Sequence, residues 1–277
     1  GGLIGAAYFR QLYQQDERYH VHSRSDAVLL DELSGDILNP VAFSFVTNDM
    51  FIRYRKVHDG PREYTMDRAY AFERRLNQNT RGFLEVRMGE LAAAERNAEI
   101  PMLVVSPVSI NDGRRLVIAA QPAAFLTAIT PQARLNVPSQ PEAIEFRRLF
   151  ADHEPDSLKL SSALRMNASF PYITPVTTLP SEPAMRVMDA GIRDNYGYRN
   201  TLMFLYTFRD WIAANTSGVI ILQLRDTQKD LEVKSASGSF FGRMLDPVGS
   251  VYDNFVRVQD QDYDLMLKLF TGQPQAP

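Results

Sequence analysis

An aspartate followed by two small residues is the feature of this chain best suited to chemistry. Asp189 follows the short apolar run "AMRVM" and precedes Ala190 and Gly191. In open α/β sheets, ligands and catalytic groups gather where strands end, so a carboxylate at this position could serve as a general base. The small neighbours would let another stretch of backbone approach closely. An ordinary Asp-x-Gly turn that closes a strand explains the same residues, and the residues alone leave both interpretations open.

The start of the chain is the second such feature. Gly1 and Gly2 precede "LIGAAYFRQLY", whose apolar residues recur with the spacing of a helix. In a nucleophile elbow, a serine occupies a sharp turn between a strand and a helix, with small residues around it. The residue after the serine donates its backbone N–H to the developing oxyanion. Gly1 and Gly2 fit the positions after such a serine, although a flexible chain end or a cloning remnant would look the same.

Metal and cofactor motifs are weak or missing in the sequence. His20 and His22 lie in "YHVHSRSD" and could grip a metal from an extended segment, but no further ligand is close to them in the sequence. We therefore expect a solvated loop there and no metal site. The glycines form neither a dinucleotide-binding motif nor a phosphate-binding loop, no complete G-x-S-x-G occurs, and cysteine is absent. No cofactor is expected.

Composition limits the class of protein. The chain has 277 residues, of which 45% are hydrophobic and 23% charged, which is typical of a globular protein that can bury a core. The net charge is -3 and the basic residues occur in scattered pairs, which argues against nucleic acid as a partner. No apolar run approaches the ~18 residues of a membrane span.

Helical and strand-like patterns alternate along the chain. Helices are predicted at 1–15, 67–79, 157–169, 200–215 and 251–270, and a further one in "EVRMGELAAAERN". In the helix at 67–79, Asp67 is the predicted cap, and Ala69, Phe72 and Leu76 form the predicted apolar stripe. Apolar strands are predicted at 102–105 and 115–119, joined by an Asn111-Asp112-Gly113 hairpin turn, and in "AMRVM" and "VIILQL". We therefore expect an α/β fold with a mostly parallel central sheet and helices on both faces, forming one domain over 1–277.

Taken together, these stretches resemble the patatin-like phospholipase family. The nucleophile motif of that family is Gly-x-Ser-Gly-Gly, and "GGLIGAAYFRQLY" is similar to the text directly after the serine. The second motif is Asp-Gly-Gly or Asp-Gly-Ala, reached through a proline-rich segment, and "NASFPYITPVTTLP" with "RVMDAGIRDN" is similar to it. The resemblance runs over essentially the whole chain in the same order, and 164–195 is its most specific part.

The resemblance implies a lipid acyl hydrolase, a phospholipase or esterase, with a Ser-Asp dyad and no histidine. Asp189 would be the general base, and Gly1 and Gly2 would form the nucleophile elbow, with Gly1 as an oxyanion donor. The loop after the aspartate would be supported by its own residues: Ala190, Gly191 and Asn195. Ala190 departs from the family pattern, in which glycine is commoner there.

The fold that the resemblance implies is the three-layer patatin-like fold without its N-terminal strand or strands. The nucleophile serine and the upstream oxyanion loop would precede Gly1, so we expect an N-terminally incomplete domain that is inactive by itself. Its partner would be a lipid ester at a membrane surface, and its location cytoplasmic or peripheral to the membrane.

Several alternatives remain open at this point. A catalytically inactive patatin-like domain could bind lipid or a protein, and an unrelated α/β domain could contain an Asp-x-Gly turn by coincidence. The aromatic-rich region 43–72 could be a lipid-facing surface or a packed helical layer. We expect Arg193 and Asp194 to be solvated. The apolar residues of the 200–215 helix are expected to be core: Leu202, Leu205, Phe208 and Ile212.

Overall fold

The structure is a computed structural model that describes residues 2–15, 26–50, 56–59, 62–127, 141–169, 174, 176–224 and 240–271. These residues fall into two compact units, Gly1–Ala190 and Gly191–Pro277, and each is described by itself. The expectation of a single domain over 1–277 stays a prediction.

Helices with well-defined ends form most of the first unit. They are α1 (Gly2–Gln15), α2 (Asp26–Ser34), α3 (Leu38–Ser44), α4 (Arg68–Asn79), α5 (Met88–Arg96), α6 (Phe146–Leu149) and α7 (Leu160–Asn167), and α3 continues as a π-helical turn, Phe45–Asp49. Asp67 caps α4, since its carboxylate accepts a hydrogen bond from the Tyr70 N–H at 2.9 Å, and this cap was predicted from the sequence. At the start of α5, the Arg87 backbone N–H donates to Glu90 Oε1 at 3.1 Å. This side-chain contact gives a backbone donor at the helix start the partner that the helix itself does not provide.

The strands of the first unit are short. A hairpin is formed by β1 (Lys56–Asp59) and β2 (Arg62–Thr65), and the larger sheet contains β3 (Val104–Val105), β4 (Val108–Ser109), β5 (Arg115–Ala119), β6 (Ala143–Glu145), β7 (Thr177–Thr178) and β8 (Arg186–Met188). The larger sheet has the order β3-β5-β4-β8-β7, and β6 pairs with the free side of β5. Among the described strands, β5 and β6 are the one parallel pair, and every other pairing is antiparallel.

The predicted three-layer α/β fold with a mostly parallel central sheet is therefore wrong. The structure is helix-rich and carries a small, curled, mainly antiparallel sheet. The prediction relied on continuous apolar runs, which are typical of parallel strands covered on both faces. All five residues of β5 are indeed buried, but β5 pairs antiparallel with β3 and β4, and β6 is its one parallel neighbour among the described strands. Parallel neighbours need a long crossover, whereas β4 and β5 are joined by a tight turn.

That tight turn confirms the predicted hairpin. Val108 pairs with Arg115, and Val104 pairs with Ala119, so the strands on either side of the turn are antiparallel. Gly113 has a φ of 74°, a left-handed conformation that glycine adopts without strain.

The core of the first unit lies between the sheet and helices α1, α4, α5 and α7. Its fully buried side chains include Leu76, Leu84, Leu91, Leu116, Ile118, Leu160 and Leu164. The predicted stripe of α4 is confirmed, because Ala69 and Leu76 are both 0% exposed and Phe72 packs against the core. Within the aromatic-rich region 43–72, residues 68–72 of α4 therefore belong to a packed helical layer. Phe43 does not, because it is 71% exposed.

A close approach of backbone fixes the position of α5. A Cβ atom added at Gly89 would lie 2.7 Å from Asp156 Cβ and 3.1 Å from the Asp156 carbonyl oxygen. Real Cβ atoms do not approach other atoms this closely, so the packing of α5 on the 3-10 turn Pro155–Ser157 requires a glycine.

A half-buried carboxyl group lies on the last turn of α5. Glu95 Oε1 accepts a hydrogen bond from the Leu103 N–H at 3.0 Å. Burial raises the pKa of Glu95 above its ordinary value, and the Leu103 N–H opposes that rise. The folded state therefore holds a proton on Glu95 at a pH at which the unfolded chain has lost it.

The second unit contains α8 (Gly191–Asp194), α9 (Tyr198–Asn215) and α10 (Phe240–Thr271). The predicted helices at 200–215 and 251–270 are confirmed. The predicted core face of α9 is confirmed only in part. Leu205 is buried at 7% exposure, Leu202 and Ile212 are half-buried, and Phe208 is exposed.

The predicted buried strand "VIILQL" is also wrong. Residues 219–224 form neither helix nor strand, and Ile220 is 95%, Leu222 79% and Leu224 77% exposed. An apolar run becomes a buried strand only when another strand pairs with it and a layer covers it. Among the described residues, no strand pairs with this segment.

Candidate functional site

Asp189 directly follows β8, a strand of the larger sheet that pairs antiparallel with both of its neighbours. Val187, two residues before it, is 0% exposed and pairs with β4 on one side and β7 on the other. The Asp189 N–H donates to the Ser169 carbonyl oxygen at 3.1 Å. The backbone at the carboxylate is therefore held both by the sheet and by the residues that follow α7.

Asn167, the last residue of α7, connects three parts of the site. Its carbonyl oxygen accepts a hydrogen bond from the Ala190 N–H at 3.3 Å, next to Asp189. Its side-chain Oδ1 accepts a hydrogen bond from the Ser106 N–H at 3.1 Å, in the loop between β3 and β4. Its Nδ2 lies 3.3 Å from the position that a Cβ atom would take at Gly2. The structure thus brings Gly2 and Ala190 to one shared neighbour.

The start of α1 therefore lies close to the aspartate loop. The helix begins at Gly2 and has no acidic residue in its first turn. Its first backbone N–H groups have no partner within the helix, and the helix dipole adds partial positive charge at this end. Both the N–H groups and the partial positive charge would stabilise an oxyanion close to this end of the helix. Gly1 lies outside the described residues.

Only part of the small-residue pattern in α1 serves close packing. Ala6 and Ala7 are buried, at 2% and 0% exposure, on the side of α1 that meets α7 and α2. Gly2 packs closely against Asn167. A Cβ atom added at Gly2 would displace the Asn167 side-chain amide by a few tenths of an ångström. Gly5 has no neighbour within 4 Å of an added Cβ, so close packing does not explain that glycine.

Gly191 and Asn195 belong to the second unit and share one partner there. Gln259 of α10 donates through Nε2 to the Gly191 carbonyl oxygen at 2.9 Å and accepts at Oε1 from the Asn195 N–H at 2.9 Å. The Asn195 backbone is thus held by α10, and its predicted support of the aspartate loop stays a prediction.

The expectation that Asp194 is solvated is wrong. Asp194 is 2% exposed, and its Oδ1 accepts a hydrogen bond from the Tyr263 hydroxyl at 2.6 Å. Its Oδ2 accepts from the Arg199 N–H at 3.1 Å. The Tyr263 ring stacks on Tyr198 with centroids 4.8 Å apart, so the carboxylate sits in a fully hydrogen-bonded polar cluster inside the second unit.

Sequence reasoning missed Asn167. It lies inside the quoted segment "NASFPY", yet no role followed from its type. A polar residue at the end of an amphipathic helix, directly before Ala-Ser, is a weak signal for a side chain that ties a helix end to neighbouring loops. It accepts hydrogen bonds from residues 106 and 190 and lies against residue 2, and such a set cannot be predicted from local spacing.

No metal site was found in the part of the chain that the structure describes, where no three His, Asp or Glu side chains are grouped to hold an ion. His20, His22, Phe170, Pro171 and Pro175 lie outside the described residues. Of the described helices, none has the length and apolar character needed to cross a membrane.

Comparisons with protein-family models, with curated proteins and with solved structures found no match. The family resemblance therefore rests on the quoted motifs, and the function is inferred from the site.

Proposed function

We propose that this chain carries the aspartate half of a Ser-Asp dyad in a lipid acyl hydrolase of the patatin-like type. The observation that supports this most is the shared contact at Asn167. An enzyme of this type needs the residues after its serine and the dyad aspartate side by side. Gly2 and the Asp189-Ala190 backbone both lie against Asn167, although 187 positions separate Gly2 from Asp189.

In the proposed reaction, a serine directly before Gly1 in the complete protein attacks the carbonyl carbon of a lipid ester. The Asp189 carboxylate takes the serine proton as the C–O bond to the acyl group forms. The proton then passes to the leaving alcohol, and an acyl-serine remains. Water then adds to the acyl carbon and gives its proton to Asp189. The bond between the acyl carbon and the serine oxygen breaks, the fatty acid leaves, and Asp189 returns the proton to the serine oxygen.

The start of α1 would stabilise the oxyanion in both steps. Its backbone N–H groups point out of the helix end and need no reorganisation when negative charge develops. One such donor contributes roughly 3–4 kcal/mol to transition-state stabilisation in well-studied hydrolases. The first turn of α1 has no acidic side chain of its own that would offset this effect.

A second candidate function is a patatin-like domain that binds lipid without catalysis. The large exposed apolar side chains favour a binding role of some kind, with Phe43 71% and Trp211 62% exposed. The two candidates differ in one residue. A serine before Gly1 is required for hydrolysis, and any other residue there leaves only binding.

The test is to read the codon before Gly1 and to expose the complete protein to a fluorophosphonate, which phosphonylates activated serines with loss of fluoride. We expect a single labelled serine at that position and hydrolysis of short nitrophenyl esters. Absence of a serine, or a serine that neither reacts nor supports ester hydrolysis, would refute the hydrolase proposal and leave the binding domain.

A further inference from the structure

Apolar side chains of the second unit lie mostly on its surface. Among the described residues of this unit, three large apolar side chains are buried, namely Tyr198, Leu205 and Tyr263. Twelve are exposed, four of them on α9, four within 219–224 and four on α10. A unit that exposes more large apolar side chains than it buries is typical of one half of an obligate interface.

The exposed apolar area is large enough for a stable dimer. The twelve side chains are between 37% and 95% exposed. Aromatic side chains bury about 150–250 Å² each when they are fully covered, and aliphatic ones somewhat less, so the set presents on the order of 1,000 Å² per chain. Each partner in a stable protein complex buries about 800 Å².

Helix α10 exposes its four apolar side chains along one stripe. Each is at least half exposed, and they are Phe255, Val258, Leu265 and Leu269. With the exposed Asp262 between them, these positions are three and four residues apart, which is the 3.5-residue period of a coiled-coil seam. We call the five positions the seam. The sequence repeats the same spacing at Val251 and Val248, so the period extends over three heptads of a 32-residue helix.

The opposite side of α10 is already used inside its own unit. Gln259 and Tyr263 are buried there. Gln259 Nε2 donates to the Gly191 carbonyl oxygen at 2.9 Å, and the Tyr263 ring stacks on Tyr198. The seam is therefore a second stripe that lies outside this packing. Its 3.5-residue period specifies what covers it, namely another helix whose side chains insert between those of the seam.

We propose that the seam pairs with the seam of a second copy of this chain, with the two helices antiparallel. A two-fold axis that crosses α10 at residue 260 places Phe255 opposite Leu265 and Val258 opposite Asp262, and the symmetry repeats both contacts. Parallel pairing would place the two Asp262 carboxylates directly opposite each other inside the seam, where like charges repel. Antiparallel pairing offsets them by about 6 Å along the helix axis. The inference does not depend on the proposed function.

The first test is sedimentation of the full chain over a range of micromolar concentrations, where a dimer is expected. Leu265→Glu should weaken dimerisation at least about tenfold, because the two-fold axis puts two uncompensated charges into the seam. Asp262→Leu should strengthen it at least about tenfold, because a polar residue at a seam position lowers the stability of the pair.

The matched control is Leu30→Glu on α2 of the first unit. It makes the same substitution at a leucine of similar exposure, 50% against 54% for Leu265. This variant should dimerise as the parent chain does. Equal loss of the dimer in Leu30→Glu and Leu265→Glu would overturn the proposal. A parent chain that stays monomeric would leave the seam to some other protein and would overturn it as well.

The second test reads the direction of the helices and keeps the seam apolar. The chain contains no cysteine, so introduced thiols report on defined pairs. Val258→Cys mixed with Asp262→Cys should form a disulfide-linked dimer under oxidising conditions, because these two positions face each other across the axis. Each variant alone should form none. A variant that links to itself, with no link in the mixture, would show parallel helices and would refute the antiparallel pair.

Discussion

Replacing Asn167 with alanine should loosen the aspartate loop by a predictable amount. The change removes the acceptor of the Ser106 N–H, a hydrogen bond of 3.1 Å. Ser106 is 5% exposed, so water cannot readily replace that acceptor. A buried donor left without a partner costs about 1–3 kcal/mol. The backbone bond from Ala190 to residue 167 should survive, because it uses the carbonyl oxygen.

The assay is thermal unfolding of the full chain with hydrogen exchange at the Ser106 and Ala190 amides. A loss of about 1–3 kcal/mol in a unit of this size lowers Tm by about 2–12 °C. Exchange at Ser106 should accelerate most. Asn167→Asp keeps an acceptor oxygen for Ser106 and should cost less than the alanine change.

The control is Asn97→Ala. Asn97 also lies at the end of a helix, but it is exposed, and its side chain donates to Glu99 Oε1 at 3.2 Å. Surface changes of this kind fall within about 0.5 kcal/mol of the parent. If Asn167→Ala has no more effect than Asn97→Ala, Asn167 does not connect the parts of the site, and the geometric support for the dyad is lost.

Three further predictions concern the fold. Gly89→Ala should destabilise the chain by about 1–3 kcal/mol, because the added methyl group overpacks against Asp156. Gly5→Ala should stabilise it by about 0.5–1 kcal/mol, because alanine favours the helix and the added methyl group meets no neighbour. Urea denaturation of both variants tests the difference. Tyr263→Phe removes a hydroxyl from a buried carboxylate, which should cost about 1.5–3 kcal/mol and speed hydrogen exchange in α8; unchanged exchange would contradict the buried cluster. Glu95 has a pKa raised in the folded state, so its contribution to stability is lost as pH rises from the ordinary value of 4.5 through the raised pKa. The stability of Glu95→Gln relative to the parent should therefore increase over that range of pH in denaturation curves, and a flat or falling difference would show that burial does not shift this carboxyl.

The sequence predicted structural features correctly where they depend on residues that are close together in the chain. The Asp67 cap, the stripe of α4 and the Asn111-Asp112-Gly113 turn are each set by residues within a few positions of one another, and the structure contains all three. Such features depend on helix geometry and turn chemistry, which short segments determine by themselves.

Strand pairing and contacts between residues far apart in the sequence could not be predicted from short segments. The runs "RLVIA" and "VIILQL" are both apolar except for one residue each, but β5 pairs with β3, β4 and β6, whereas 219–224 pairs with no described strand. Apolar composition gives the tendency to be buried, and the pairing partner decides the outcome. Asp194 likewise looked solvated because its partner Tyr263 lies 69 residues away. Asn167 was missed for the same reason.

The most direct test of the central claim is the kcat for ester hydrolysis by the complete protein carrying Asp189→Asn. If Asp189 is the general base, kcat falls by about 100- to 10,000-fold while the unfolding transition stays in place. Asp152→Asn, an exposed aspartate outside the site, should leave kcat unchanged. Turnover by Asp189→Asn at the level of Asp152→Asn would contradict the dyad and remove Asp189 from the reaction.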